Sequence, residues 1–426
     1  MSNITRRDFI RFAGAATLGL MGASGTARAA RRASAHVVVI GGGFGGATCA
    51  RYLKRMDPGI KVTLIEANER FITCPFSNYV LAGWRTLDSI THDYGGLKRD
   101  GVEVVRARAT AVDPTARRVS LEGGASVTYD RLVVAPGIDF RWGAIAGYDE
   151  KAAEVMPHAW KAGPQTLLLR KQLEAMPDGG TFVMVAPDNP FRCPPGPYER
   201  ASVIANYLRR HKPKSKILIL DAKEGFSKQG LFMEGWKKLY PGMIEWVPGA
   251  KGGKMIAVDP KTKTLEGDFE KYTGDVVNVI PPQRAGEIAH AAGLTDASGW
   301  CPVDPLTFES KQQKGIYVIG DAAIATPMPK SGFAANSHAK RVAAVIAGEL
   351  HDQTLTDGVY TNTCYSLLAP DYGISVANVY RFTAQGIKEV QGAGGVSPLG
   401  ADTAFRQDEA KYALGWYASI TADAWG

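Results

Sequence analysis

Five cysteines offer the most chemistry in this 426-residue chain: Cys49, Cys74, Cys193, Cys301 and Cys364. A thiolate can attack, can be attacked as half of a disulfide, or can bond a carbon or a metal. No two of them form a C-x-x-C pair and no C-x-x-C-H occurs, so the chain shows no thioredoxin-like motif and no site for attaching c-type haem. The odd count leaves at least one thiol unpaired or used otherwise. Cys193 stands in Phe191-Arg192-Cys193-Pro194-Pro195-Gly196-Pro197-Tyr198-Glu199, and Cys364 in Thr361-Asn362-Thr363-Cys364-Tyr365. Spacing alone does not pair them, and each reads equally as a buried core thiol. Cys49 reads as core packing. The histidines show no metal-ligand spacing, so no metal is expected, and His158 and His338 read as structural or surface residues.

The elements that would position these sulfurs begin at His36-Val37-Val38-Val39-Ile40, a short run rich in β-branched residues that reads as a buried parallel strand. Gly41-Gly42-Gly43-Phe44-Gly45-Gly46 follows, then a helix over about Ala47 to Met56, then the strand Lys61–Ile65 closed by Glu66. Strand, glycine turn, helix, strand and acid together form a dinucleotide site. Gly41 permits the tight turn, Gly43 lets the backbone approach a pyrophosphate, and Gly46 allows helix and strand to pack closely. The helix N-terminus offers free N–H groups and the positive end of its dipole. Glu66 can accept hydrogen bonds from a ribose diol.

Two later segments separate FAD from NAD. Leu132-Val133-Val134-Ala135-Pro136-Gly137 resembles the second conserved strand and turn of the two-dinucleotide-fold flavoproteins, with Pro136 where Thr is usual. Gly315-Ile316-Tyr317-Val318-Ile319-Gly320-Asp321 resembles the strand whose aspartate holds the ribitol chain of FAD. A second βαβ unit is expected at Thr181–Ala186, a helix over Arg200 to Arg210, and Lys216–Asp221. Its turn holds five prolines instead of a glycine motif. Proline has no N–H to donate to a phosphate, so NAD(P) is not expected there. Cys193 then falls where a nicotinamide would approach the flavin, which argues for a redox role.

The segments Phe191–Arg200, Ile280-Pro281-Pro282-Gln283-Arg284-Ala285-Gly286, Met328-Pro329-Lys330-Ser331-Gly332 and Asn362-Thr363-Cys364-Tyr365-Ser366 closely resemble the flavoprotein subunit of flavocytochrome c sulfide dehydrogenase, and more widely the sulfide:quinone reductases. The resemblance implies an α/β fold with two Rossmann-like domains, of the glutathione-reductase kind, plus a C-terminal α+β interface domain. It implies that Cys193 and Cys364 form a redox disulfide beside the flavin. It implies that Cys74 bonds covalently to FAD, although Pro75-Phe76 departs from the family's Tyr-Leu. It makes Glu199 a candidate proton acceptor, which reads equally as a first-turn acid complementing a helix dipole. Lys330, Ser331 and Gly332 are candidates for stabilising charge on the flavin ring. The implied activity is sulfide oxidation. Sulfide attacks the Cys193–Cys364 disulfide, electrons pass to FAD and then to a c-type cytochrome subunit, and sulfur or polysulfide leaves. A sulfide:quinone reductase and an accessory redox flavoprotein of sulfur oxidation are the competing readings. The tail carries Arg406, Asp408, Glu409 and Lys411, which is polar for a membrane-facing quinone site.

Length predicts more than one domain. Residues 1–30 read as a twin-arginine signal peptide: Arg6-Arg7, an apolar stretch from Phe12 to Met21, then Ala27-Arg28-Ala29. The expected location is the periplasm. Cleavage there removes four arginines and one aspartate, which lowers the formal charge of +8 by three. That modest excess, without basic runs interleaved with aromatics, argues against nucleic acid. No stretch after the leader is long and apolar enough to span a membrane. The expected divisions are an FAD domain over 31–145 and 271–340, a second Rossmann-like domain over 146–270, and an interface domain over 341–426.

Overall fold

A computed structural model describes residues 35–426 apart from Thr356 and Ala384, and these residues form one compact unit. The predicted signal peptide lies outside the described residues. The chain starts with β1 (His36–Ile40), α1 (Phe44–Met56), β2 (Lys61–Glu66), the short α2 (Ser77–Leu81), β3 (Glu103–Arg106) and β4 (Arg131–Val134). It continues with β5 (Thr181–Ala186), α3 (Gly196–His211), β6 (Lys216–Asp221), α4 (Gln229–Leu239), β7 (Ile244–Val247) and β8 (Val276–Val279). Then come β9 (Ile316–Val318), α5 (Gly332–Leu350), β10 (Val359–Ala369), β11 (Tyr372–Thr383), β12 (Gly386–Glu389) and α6 (Thr403–Ala424).

Two parallel sheets result. The first has the order β9-β4-β1-β2-β3 and the second β7-β6-β5-β8. Their strands read as unbroken apolar runs because both faces are covered: Val37, Val38, Val39, Leu132, Val133 and Val134 are fully buried. The third sheet, β10-β11-β12, is antiparallel, and α6 packs on β11.

Several elements lie across or ahead of the expected divisions. The second sheet takes β8, which ends at Val279. Helix α5 runs through 340/341 without a break, because it covers α1 as well as β10. Both helices that follow a Rossmann strand begin early. In α1 the first turn contains Phe44, Gly45 and Gly46, with the Ala47 N–H already bonded to the Gly43 carbonyl at 2.9 Å. In α3 the first turn contains Pro197, tolerated there because a first-turn N–H has no helical partner. Glycine spacing is legible in the sequence, but the residue at which a helix starts depends on the turn geometry.

The end of the chain returns to the first glycine turn. The Trp425 indole N–H donates to the Gly42 carbonyl at 3.1 Å, and its ring stacks between Phe71 (centroids 5.1 Å apart) and His92 (5.0 Å). Asp423 takes hydrogen bonds from Tyr52 on α1 and Asn336 on α5. Trp425→Ala therefore opens a cavity under the glycine turn. It should cost about 3 kcal/mol, read as a lowered thermal midpoint, with faster hydrogen exchange of the Gly41–Gly45 amides.

Candidate functional site

A single cavity of about 820 Å³ runs between the glycine turn and three cysteine sulfurs. At one end stand Gly41, Gly43, Phe44 and Gly45, with Glu66 at the tip of β2. Ala135 and Gly137 follow β4 on its wall, Gly320 and Asp321 follow β9, and Ser331 and Gly332 open α5. At the other end stand Cys74, Cys193, Glu199 and Cys364. Gly46 and Lys330, both expected at the cofactor, do not line it.

The glycine turn is built for close approach. Gly41 has φ +98°, and a Cβ there would sit 2.3 Å from the Ala135 carbonyl oxygen. A Cβ on Gly46 would fall 1.8 Å from the Gly41 oxygen, so Gly46 serves helix–strand packing and acts behind the cavity wall. The Gly42 N–H donates to Glu66 Oε2 at 2.7 Å, and Asn68 donates to Oε1, so the acid is fixed against the turn.

Lys330 stands behind the cavity wall. Its ammonium donates to the carbonyls of Asp321 (2.7 Å) and Ala323 (3.0 Å) and lies 3.8 Å over the Trp300 ring. It braces the Gly320–Asp321 turn, and burial lowers its pKa to about 8. Ser331 caps α5 by accepting from the Ala334 N–H at 3.0 Å, which leaves the first N–H groups of that helix at the cavity.

FAD fits this architecture on an observation of its own. Asp321 Oδ1 is fully buried on the cavity wall and has no hydrogen-bond partner among the described residues. A buried carboxylate oxygen left unpaired is costly, and a ribitol hydroxyl would satisfy it. Burial raises the Asp321 carboxyl, opposed by the nearby Arg192 and Lys330 charges.

The second Rossmann-like unit is filled by its own side chains. Asp221 ends β6 fully buried and accepts from Tyr198 Oη, Trp246 Nε1 (3.0 Å) and Lys223 Nζ (2.6 Å). The Tyr198 ring stacks on Phe226 at 3.5 Å between centroids. A Cβ on Gly196 would meet Trp160 at 2.7 Å and Cys193 Sγ at 3.0 Å, so the proline turn packs directly under the sulfur.

Glu199 ties the three cysteine segments together. Its Oε2 accepts from Asn78 Nδ2 at 2.8 Å, and its Oε1 from Tyr79 Oη at 2.9 Å and the Leu367 N–H at 3.1 Å. Asn78 and Tyr79 follow Cys74, Glu199 follows Cys193 on α3, and Leu367 follows Cys364 on β10. Burial raises the Glu199 carboxyl, while the Asn78 and Tyr79 bonds lower it. Of the two readings of Glu199, this geometry adds a third: a clamp with both oxygens engaged.

All five cysteines are thiols in this structure. Cys49 and Cys301 are buried, and Cys74, Cys193 and Cys364 are half-buried. The Cys193 thiol is pushed well up by burial, then by the neighbouring Cys74, Cys364 and Glu199. Cys193 has φ +59° and Phe76, beside Cys74, has φ +70°. Left-handed backbone at side-chain-bearing residues is uncommon and tends to gather where function imposes it. Sequence reasoning missed Arg200, fully buried, whose guanidinium bonds Asn78 Oδ1, Asn278 Oδ1 and the carbonyls of His158 and Ala159. It missed Lys228 too, buried behind Cys364. Adjacency of Glu199 and Arg200 at a helix start was the only signal of this network.

A family model described as the central part of the sulfide dehydrogenase (flavocytochrome c) flavoprotein chain matches residues 166–281. One described as the flavin-binding part of flavocytochrome c sulphide dehydrogenase matches 356–425, and a pyridine nucleotide-disulphide oxidoreductase model matches 35–161. The sulfide dehydrogenase (flavocytochrome c) flavoprotein chain of Chlorobaculum thiosulfatiphilum is 64% identical over 45 residues, 94% of that sequence and 11% of this chain. The chain belongs to this flavoprotein family. It is therefore an oxidoreductase, as the sequence implied. The sulfide-quinone reductase of Aquifex aeolicus is 23% identical over 340 residues, covering 74% of this chain and 77% of that one. The crystal structure of the sulfide:quinone oxidoreductase from that species superposes with a TM-score of 0.71 at 20% identity, covering 91% of this chain and 92% of its own. The shared fold accords with the expected two dinucleotide domains and C-terminal domain. Among the described residues no helix is long and apolar enough to cross a membrane, and no cluster of His, Cys, Asp or Glu could hold a metal.

Two outcomes follow from the site's hydrogen bonds. In Glu199→Gln the new amide faces the Asn78 amide, which cannot turn because its Oδ1 holds Arg200 Nε at 3.0 Å. The variant should lose about 1–3 kcal/mol in chemical denaturation. His338 Nδ1 accepts from the Gly320 N–H at 3.3 Å, and burial lowers this histidine's pKa from 6.5 to about 3. The unfolded chain takes up that proton first. The stability it contributes is present above pH 6.5 and is lost as pH falls toward 3, and the pH dependence of the urea midpoint should be shallower in His338→Gln.

Proposed function

We propose that this chain is the flavoprotein subunit of a periplasmic sulfide dehydrogenase. The observation that carries the reading is the convergence of Cys74, Cys193 and Cys364 on one cavity whose other end is a dinucleotide turn. FAD would be held by the Gly41–Gly46 turn, Glu66, Asp321 and the start of α5, and covalently by Cys74. Bound there, it supplies an acceptor for two electrons that can be emptied one at a time.

The residues at the other end do the sulfur chemistry. In the oxidised enzyme Cys193 and Cys364 form a disulfide. Hydrosulfide, a soft nucleophile, attacks one of its sulfurs. The Cys193–Cys364 bond breaks and a bond to the incoming sulfur forms. One cysteine becomes a persulfide and the other leaves as a thiolate, so the electron pair brought by sulfide now resides on the protein. A second sulfur nucleophile removes the persulfide sulfur as zero-valent sulfur or polysulfide. The backbone around Glu199 keeps these sulfurs at the cavity throughout. The two cysteines then re-form their disulfide, and the two electrons this releases leave, by way of the acceptor, to a separate c-type cytochrome subunit.

Quinone is the competing acceptor, favoured by the length over which the quinone reductases align. Against it stands the C-terminal helix α6, where the buried Arg406 pairs with Glu409 and with Glu234. Copurification with a haem protein, read as Soret absorbance, would support the cytochrome, and its absence would favour quinone. Anaerobic sulfide should bleach the flavin spectrum of the wild type. Cys193→Ser should retain FAD but lose this bleaching, and a variant that bleaches normally would remove Cys193 from the chemistry. Acid-precipitated wild type should stay yellow, and Cys74→Ala should release its flavin.

A further inference from the structure

Lys228 is a buried cation that no step above uses. It precedes α4 with φ +61°, a left-handed conformation uncommon for a residue with a side chain. Its ammonium donates to Ser366 Oγ at 2.9 Å and to the Cys364 carbonyl at 3.4 Å, and stands 5.8 Å from the Phe232 ring centroid. Among the described residues it has no carboxylate at ion-pairing distance. A desolvated ammonium without a counter-ion is costly, and burial accordingly lowers its pKa. A cation kept in a strained backbone, out of water, points to an anion that forms beside it.

The surrounding groups identify that anion. On β10, Asn362 Nδ2 and Oδ1 lie 3.6 and 3.8 Å from Cys364 Sγ. Ser331 at the start of α5 bonds Asn362 Oδ1 at 2.6 Å. Glu199 on α3, Cys193 before it, Tyr380 on β11 and Glu409 on α6 complete the titratable groups that face Cys364 or Lys228. Cys364 is the leading charge acting on Lys228, ahead of Glu199, Cys193 and Glu409. Lys228 is the leading charge acting on the Cys364 thiol, where it opposes burial. Cys193 has weaker support: Cys74, Cys364 and Glu199 all disfavour its thiolate, Arg192 opposes them, and Lys228 is coupled to it less than to Cys364.

We infer that Lys228 is a positioning residue whose buried charge holds an anionic sulfur on Cys364. The inference rests on the proposed disulfide chemistry for the origin of that anion. When the Cys193–Cys364 bond opens, the departing electron pair makes Cys364 a thiolate, or hydrosulfide adds to Cys364 and the resulting persulfide releases its proton to solvent. Either species carries one negative charge at the same place.

The test is the pH dependence of iodoacetamide alkylation in the dithiol-reduced holoprotein, with Cys193 and Cys364 followed separately by peptide mass spectrometry. In the wild type the Cys364 midpoint should lie below that of Cys193. Lys228→Gln should raise the Cys364 midpoint by about one pH unit, about tenfold slower alkylation at neutral pH, and move the Cys193 midpoint less. Lys228→Arg should restore it. An unmoved Cys364 midpoint, an equal shift of both thiols, or no rescue by arginine overturns the role. If Lys228→Gln does not fold, the wild-type order of midpoints and the arginine variant decide. Sulfide bleaching is read on the same wild-type sample: its absence would reject the disulfide chemistry while leaving the alkylation result standing.

Discussion

One buried carboxylate holds the site together. Glu199 receives donors from the segment after Cys74 and from the strand after Cys364, and its own helix begins just after Cys193. The three cysteines are separated by long stretches of chain, and their segments meet at two oxygen atoms. A carboxylate out of water is tolerated only when its lone pairs are met. That requirement fixes the spacing of α2, α3 and β10 more tightly than apolar packing would. Arg200 extends the constraint by holding Asn78 in the one orientation that donates to Glu199.

Two Rossmann-like units then serve different ends. In the first, glycines clear the backbone around a turn, and an unpaired Asp321 oxygen awaits a partner. In the second, β6, the counterpart of β2 with its Glu66, ends in Asp221, which is saturated by Tyr198, Lys223 and Trp246. The same topology is open in one copy and filled in the other. The difference lies in side-chain volume and hydrogen-bond satisfaction, and it directs the proline turn, with Cys193, toward the shared cavity.

Buried cations distribute the electrostatics unevenly. Lys330 lies behind the Asp321 turn, Arg200 behind Asn78, and Lys228 behind Cys364. None lines the cavity. Each acts through a backbone carbonyl, an amide or a neighbouring thiol, one layer behind the charged groups that line the cavity itself, among them Glu66, Arg192, Glu199 and Asp321. In a low-dielectric interior such charges act over longer distances than at the surface.

The sequence by itself determined the glycine turn, the parallel strands and the cysteine segments. These are local features: a Gly needed at positive φ, an apolar run needed for a doubly covered strand, a proline that cannot donate. It also carried the family resemblance, since the segment around Cys193 is short and specific. The tertiary structure alone decided where β8 belongs, that α5 runs unbroken, that Lys330 turns away from the cavity, and that Glu199 is a clamp. The reason is physical: a side chain's direction and the satisfaction of a buried charge depend on partners hundreds of residues away, as Thr73 and Tyr417 or Asn336 and Thr48 illustrate. Spacing along the chain does not encode those meetings; packing does.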